Sequence, residues 1–130
     1  MEEKIKIIKN NMAEKVTLPK SYVSGDATAE PLLEDNNPLG VTAALVHFDT
    51  GVITTWHTHP AGQMIIIKDG VCRFQQEGGE IMKAYPGDVV YFPPKVKHWH
   101  GAEIGETMSH YAFDGIKNNK TADWLEKVKE

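Results

Sequence analysis

Cysteine is nearly absent. The 130-residue chain has one, Cys72, so no disulfide can form within it, and its length suits one domain with a core of its own. Long apolar runs are missing too. No stretch approaches the roughly 20 residues of a membrane-spanning helix. The opening MEEKIKIIKNN alternates charge with isoleucine and lacks the apolar run of a signal peptide. Positive charge is not in excess: 14 Lys and Arg stand against 18 Asp and Glu, a net charge of −4. The lysine clusters at the two ends are diluted by glutamate, which leaves no basic footprint for nucleic acid. Repeats, low-complexity tracts and linkers are also lacking. The expectation is one soluble, cytoplasmic domain spanning 1–130, with no nucleic-acid or membrane partner.

What is present is a series of short β-type runs after an irregular segment over residues 1–40, in which Ile5 to Ile8 reads as a short strand. The runs are VTAALVHF (41–48), VITTWHTH (52–59), QMIIIKD (63–69), VCRFQQ (71–76), EIMKAY (80–85), DVVYF (88–92), KHWHGAE (97–103) and TMSHYAF (107–113). Gly and Pro turns separate them, which argues an all-β antiparallel sandwich or barrel with its core at about 41–113. Cys72, inside one of these runs, reads as sheet filler rather than a nucleophile. Thr121 can cap a short C-terminal helix over about 121–129, with Trp124, Leu125 and Val128 on one stripe.

Five of the six histidines fall into a pattern on these strands. Side chains two apart share a face. His57 and His59 therefore point one way, as do His98 and His100, while His110 aligns with Met108, Ala112 and Asp114. His47 is in antiphase to Ala44 and Val46 and reads as a structural or surface histidine. Neutral imidazole is the commonest protein metal ligand. A His-x-His pair, a third ligand past a turn and a fourth from a distant strand make a one-sided cage with open positions, as a catalytic ion needs. Taken singly, each histidine would read as a surface or hydrogen-bonded core residue.

The wider pattern is more specific. GVITTWHTHPAGQMIIIKDG, from Gly51 to Gly70, and PGDVVYFPPKVKHWH, with Gly87, Pro93 and His98, resemble the two motifs of the cupin superfamily. That resemblance implies a small jelly-roll β-barrel with a metal held in its mouth by His57, His59, Gln63 and His98. Many cupins carry glutamate where this chain has Gln63. Four neutral ligands would leave a divalent ion its full charge, which favours stabilising an anion and disfavours a trivalent state. WHTHPAGQ, PGDVVYFPPKVKHWHGA, MSHYAF and ADWLEKV look like a bacterial subgroup of small cupins. That subgroup includes manganese-dependent hydroxynitrile lyases and cupins found beside carboxymuconolactone decarboxylase-like proteins. The resemblance then implies a pocket of Ala44, Val46, Thr54, His100 and His110. Asp114 stands where those lyases have glutamine.

Read physically, His100 is placed to act as a base and His110 to shuttle a proton, with Asp114 orienting it. The plainer reading of Asp114 and His110 is a polar pair at the rim. Thr54 could donate to a substrate oxygen, or be an ordinary strand residue. The expected function is a small-molecule lyase using one divalent ion per chain as Lewis acid, manganese by resemblance. Three imidazoles and an amide also suit Fe, Zn, Ni or Co. A metal-dependent dioxygenase and a non-catalytic binding module are the rival readings. Strand-like KIKII and YVSG before Val41 could cover a sheet edge of a second copy, so a homodimer is expected.

Overall fold

Apolar side chains recurring on a period of two need a sheet with one face against a core. The computed structural model describes residues 4–9, 13–33 and 37–130. Among these it has eleven strands: β1 (Val16–Thr17), β2 (Ala27–Pro31), β3 (Val41–Phe48), β4 (His57–Thr58), β5 (Gln63–Gly70), β6 (Cys72–Gln76), β7 (Ile81–Ala84), β8 (Val89–Phe92), β9 (His98–Ala102), β10 (Met108–Gly115) and β11 (Asp123–Trp124). They form a six-stranded sheet, β1-β2-β3-β10-β5-β8, and a five-stranded sheet, β11-β4-β9-β6-β7. Every named pairing is antiparallel.

The core lies between the sheets. Phe48, Ile65, Ile67, Phe92, Met108 and Ala112 from the first meet Cys72, Ala84 and Ala102 from the second. β5 shows the alternation plainly: Gln63, Ile65 and Ile67 are buried while Met64 faces outward. Burying a large apolar side chain of this kind contributes about 1.5–3 kcal/mol. Two glycines allow close approaches that a side chain would block. At Gly70, in the corner from β5 to β6, φ is +77° and a Cβ would meet the Thr107 carbonyl oxygen at 1.9 Å. At Gly101 on β9 a Cβ would lie 2.3 Å from the Val52 carbonyl oxygen, so the 52–54 backbone can bond across β9. Cys72 is fully buried, and burial pushes its thiol pKa up to about 12, which suits packing and not nucleophilic attack.

Four expectations are corrected. The C-terminal helix is absent: Asp123 and Trp124 pair with Thr58 and His57 instead. Trp56 N–H donates to the Glu126 carbonyl, and Leu125 N–H to the Trp56 carbonyl. Backbone pairing to another element, closed by an Arg73–Glu130 ion pair of 2.7 Å, outweighs a helical stripe of three apolar residues. Ile5 to Ile8 forms no strand, and its isoleucines are exposed. The segment read as irregular contains β1 and β2, though residues 1–3, 10–12 and 34–36 lie outside the described ones. In VITTWHTH only His57–Thr58 is a strand. Ile53 and Thr54 make isolated bridges to Gly101 and Val23 as that stretch crosses the sheet.

Candidate metal centre

Antiparallel register places His57 directly opposite His98, across β4 and β9, with ring centroids 4.3 Å apart. His59 follows on the same face, its ring 4.9 Å from His57 and 5.3 Å from His98. The turn Pro60–Ala61–Gly62 then reverses the chain. Gly62 N–H donates to the His59 carbonyl at 3.1 Å, and Gly62 takes a φ of +87° that glycine adopts without strain. That reversal delivers Gln63 from the opposite sheet, four residues after His59. All four side chains are buried.

Their hydrogen bonds leave a common remainder. Nδ1 of His57 donates to the Thr55 carbonyl at 2.8 Å, Nδ1 of His59 to the Thr121 carbonyl at 2.8 Å, and Nδ1 of His98 to the Val96 carbonyl at 2.9 Å. A carbonyl can only accept, so each Nδ1 carries the hydrogen and each Nε2 keeps its lone pair. Nε2 of all three has no hydrogen-bond partner. Gln63 donates Nε2–H to Asp114 Oδ1 at 2.8 Å, and its Oε1 likewise has no partner. Leaving one buried acceptor unpaired costs about 1–3 kcal/mol. Three such imidazole nitrogens and an amide oxygen are the kinds of donor a divalent cation takes.

Burial keeps two of these imidazoles, His57 and His98, in the neutral, ligating form. It holds His57 well below the usual histidine range, helped by the neighbouring His98 and His59 and opposed by the Thr55 hydrogen bond. It brings His98 down to about 4, against its hydrogen bond to Val96. His100 is a geometric competitor, since ring nitrogens of His57, His98 and His100 lie within 4.8 Å of one another. Its Nε2, however, is engaged 3.2 Å from Nε2 of His110. His100 is held well below the usual range by burial and by His110, and His110 is brought to about 4 by burial. Both are bases at neutral pH.

Ala44, Val46, Thr54, His100, His110 and Asp114 all line one cavity of about 160 Å³, together with His57, His59 and Gln63. His98 borders a different cavity, behind Phe92, whose ring stacks on it at 3.8 Å. Thr54 Oγ1 accepts the His100 N–H at 3.2 Å, leaving its own hydrogen to donate. His47 stands apart, with Nδ1 2.8 Å from Ser109 Oγ. Asp114 is where sequence reasoning misassigned a role. It bonds Gln63, and its Oδ2 lies 3.6 Å from Nδ1 of His59, while His110 pairs with His100. Four residues along a strand are roughly 13 Å, too far for Asp114 to orient His110. Burial raises the Asp114 pKa, opposed by His59 and Gln63.

Sequence reasoning missed several residues of the site, two of them in the C-terminal segment. Thr121 anchors His59 through its carbonyl, and Trp124 walls the cavity, its ring 4.6 Å from His57 and stacked on Tyr22 at 4.3 Å. The available signal was an aromatic in a segment with little other reason to be apolar, but its helical spacing pointed elsewhere.

Residues 44–111 match the family model described as a cupin domain. The chain is 41% identical over 110 residues to an (R)-mandelonitrile lyase of Granulicella tundricola, covering 85% of this chain and 84% of that protein. Among solved structures, a cupin-like protein of Thermotoga maritima is similar at a TM-score of 0.82 and 30% identity, covering 97% of this chain and 92% of the other. A polyketide cyclase of Streptomyces resistomycificus shares the fold at a TM-score of 0.79 and 12% identity, covering 98% and 87%. A three-histidine cluster, a two-sheet fold and matches of this extent lead to one conclusion: the chain belongs to the cupin family.

Proposed function

We propose that this cupin is a divalent-metal-dependent lyase acting on a small cyanohydrin-like substrate, with His57, His59, Gln63 and His98 as ligands and manganese as the ion. The observation that carries the reading is the set of four buried acceptor atoms, three Nε2 and one Oε1, that have no partner while each Nδ1 is anchored on a carbonyl. His59 is preferred over His100 as third ligand because its Nε2 is unengaged. The two sheets then correspond to a jelly-roll barrel with the site at its mouth. A bound divalent ion supplies positive charge against negative charge developing on a substrate oxygen or a leaving cyanide.

The chain's own residues supply the rest. About 150 Å³ of apolar cavity suffices for benzene, so the cavity of about 160 Å³ takes a one-ring substrate against Ala44, Val46 and Trp124. The neutral His100–His110 pair removes the hydroxyl proton. When Nε2 of His100 holds the shared hydrogen, its Nδ1, buried without a partner, is the free base. The carbon–carbon bond breaks, its electron pair leaves with cyanide, the carbonyl forms, and the proton returns to give hydrogen cyanide. Thr54 donates to the substrate oxygen. The name of the mandelonitrile lyase relative supports this reading.

The test is cleavage of mandelonitrile by manganese-loaded protein. It should exceed that of manganese alone, and His110→Ala should lower it on the order of a hundredfold or more while the metal stays bound. No cleavage by metal-loaded wild type would contradict the lyase reading.

A further inference from the structure

A glutamine ligand carries an ambiguity that a carboxylate does not. Its oxygen and its NH2 group have nearly the same shape, and turning the amide over would aim two N–H donors at a cation. Nothing within Gln63 decides between the two orientations. Its neighbour does. Asp114 is its direct cross-strand partner between β5 and β10, and a carboxylate oxygen at 2.8 Å accepts from NH2 but would repel the amide oxygen.

The carboxylate is itself held in place. Gly115 N–H donates to the Gly62 carbonyl at 3.1 Å, which ties the end of β10 to the turn that precedes Gln63. A Cβ on Gly115 would lie 2.6 Å from the Ala61 side chain, so the two segments are in close contact. The other carboxylate oxygen lies 3.6 Å from Nδ1 of His59. One side chain thus stands behind two of the four donors.

We propose that Asp114 is the positioning residue that fixes the Gln63 amide with Oε1 toward the three Nε2 atoms and strengthens Oε1 as a donor. The inference rests on the metal-binding reading above. Asp114 acts through Gln63, so its effect should vanish when Gln63 is gone.

The experiment is a double-mutant cycle on metal affinity, independent of turnover. Apo wild type, Asp114→Ala, Gln63→Ala and the double variant are titrated with Mn(II), free ion being counted by electron paramagnetic resonance. Solvent proton relaxivity reports the number of metal-bound waters. Each single variant should weaken binding about 10–100-fold and gain one water, as loss of a partner that orients a ligand typically does. The double variant should bind within about threefold of Gln63→Ala, the strong coupling expected of groups that act as one unit. Wild-type affinity in Asp114→Ala, or a double variant whose loss is the product of the single losses, would overturn the proposal. Asp114→Leu, which keeps the volume but offers no acceptor, is read against the same two outcomes if Asp114→Ala does not fold. His57→Ala separates the two levels. If it binds Mn(II) like wild type, the metal reading fails. If it loses the ion while Asp114→Ala retains it, only the role of Asp114 fails.

Discussion

At the scale of the residue, the site is built from ordinary imidazoles made unusual by burial. His98 and His110 titrate near 4 in the folded chain against about 6.5 in an unfolded one. Between those values the unfolded chain binds protons that the folded chain refuses, so stability falls as pH drops from about 6.5 to about 4 and is fully present above that window. Metal-free protein should therefore show its melting temperature falling across this range, and His110→Phe should flatten part of the slope. A melting temperature constant from pH 7 to 4 would contradict the burial argument. This scale was also the most legible in sequence. Period-two alternation alone put His57 with His59 and His98 with His100, because a strand leaves a side chain only two directions. What alternation could not supply was which atom of each ring is free, since carbonyls of Thr55, Val96 and Thr121 decide that.

At the scale of the element, the C-terminal segment is the least expected part. Trp124, Leu125 and Val128 have helical spacing, yet the segment lies as β11 along β4 and reaches the site from 62 residues beyond His59. Local pattern could not reveal this, because the deciding bonds are to Trp56 and His57, far away in sequence. β3 shows the opposite case: its limits, Val41 and Phe48, match the apolar run itself. Arg73, the chain's single arginine, is buried over Trp99 and holds Glu130, which fastens the tail to β6. Truncation after Lys120 should remove the carbonyl that sets the His59 tautomer and the wall formed by Trp124. Metal affinity should drop about tenfold or more while the sheet signal in circular dichroism persists. Unchanged affinity would show that the tail is only packing.

At the scale of the whole molecule, two surfaces remain to be accounted for. Ile5, Ile7 and Ile8 are exposed near the start of the chain, and Val16 is exposed on β1, the end strand of the six-stranded sheet. Unpaired edges and exposed isoleucines favour contact with a second copy. Light scattering at micromolar concentration should return the mass of a dimer, and deletion of residues 1–9 should shift it toward monomer. A monomeric mass for the full chain would contradict this. No helix among the described residues is long and apolar enough to cross a membrane.

The central claim is that His57, His59, Gln63 and His98 together hold one divalent ion. Its most direct test is elemental analysis of protein purified without an affinity tag, for wild type and for His57→Ala, His59→Ala and His98→Ala. Wild type should hold close to one divalent ion per chain and each of these variants should lose it, while His100→Ala retains the metal. Metal kept by all three ligand variants, or lost from His100→Ala and kept by His59→Ala, would contradict it.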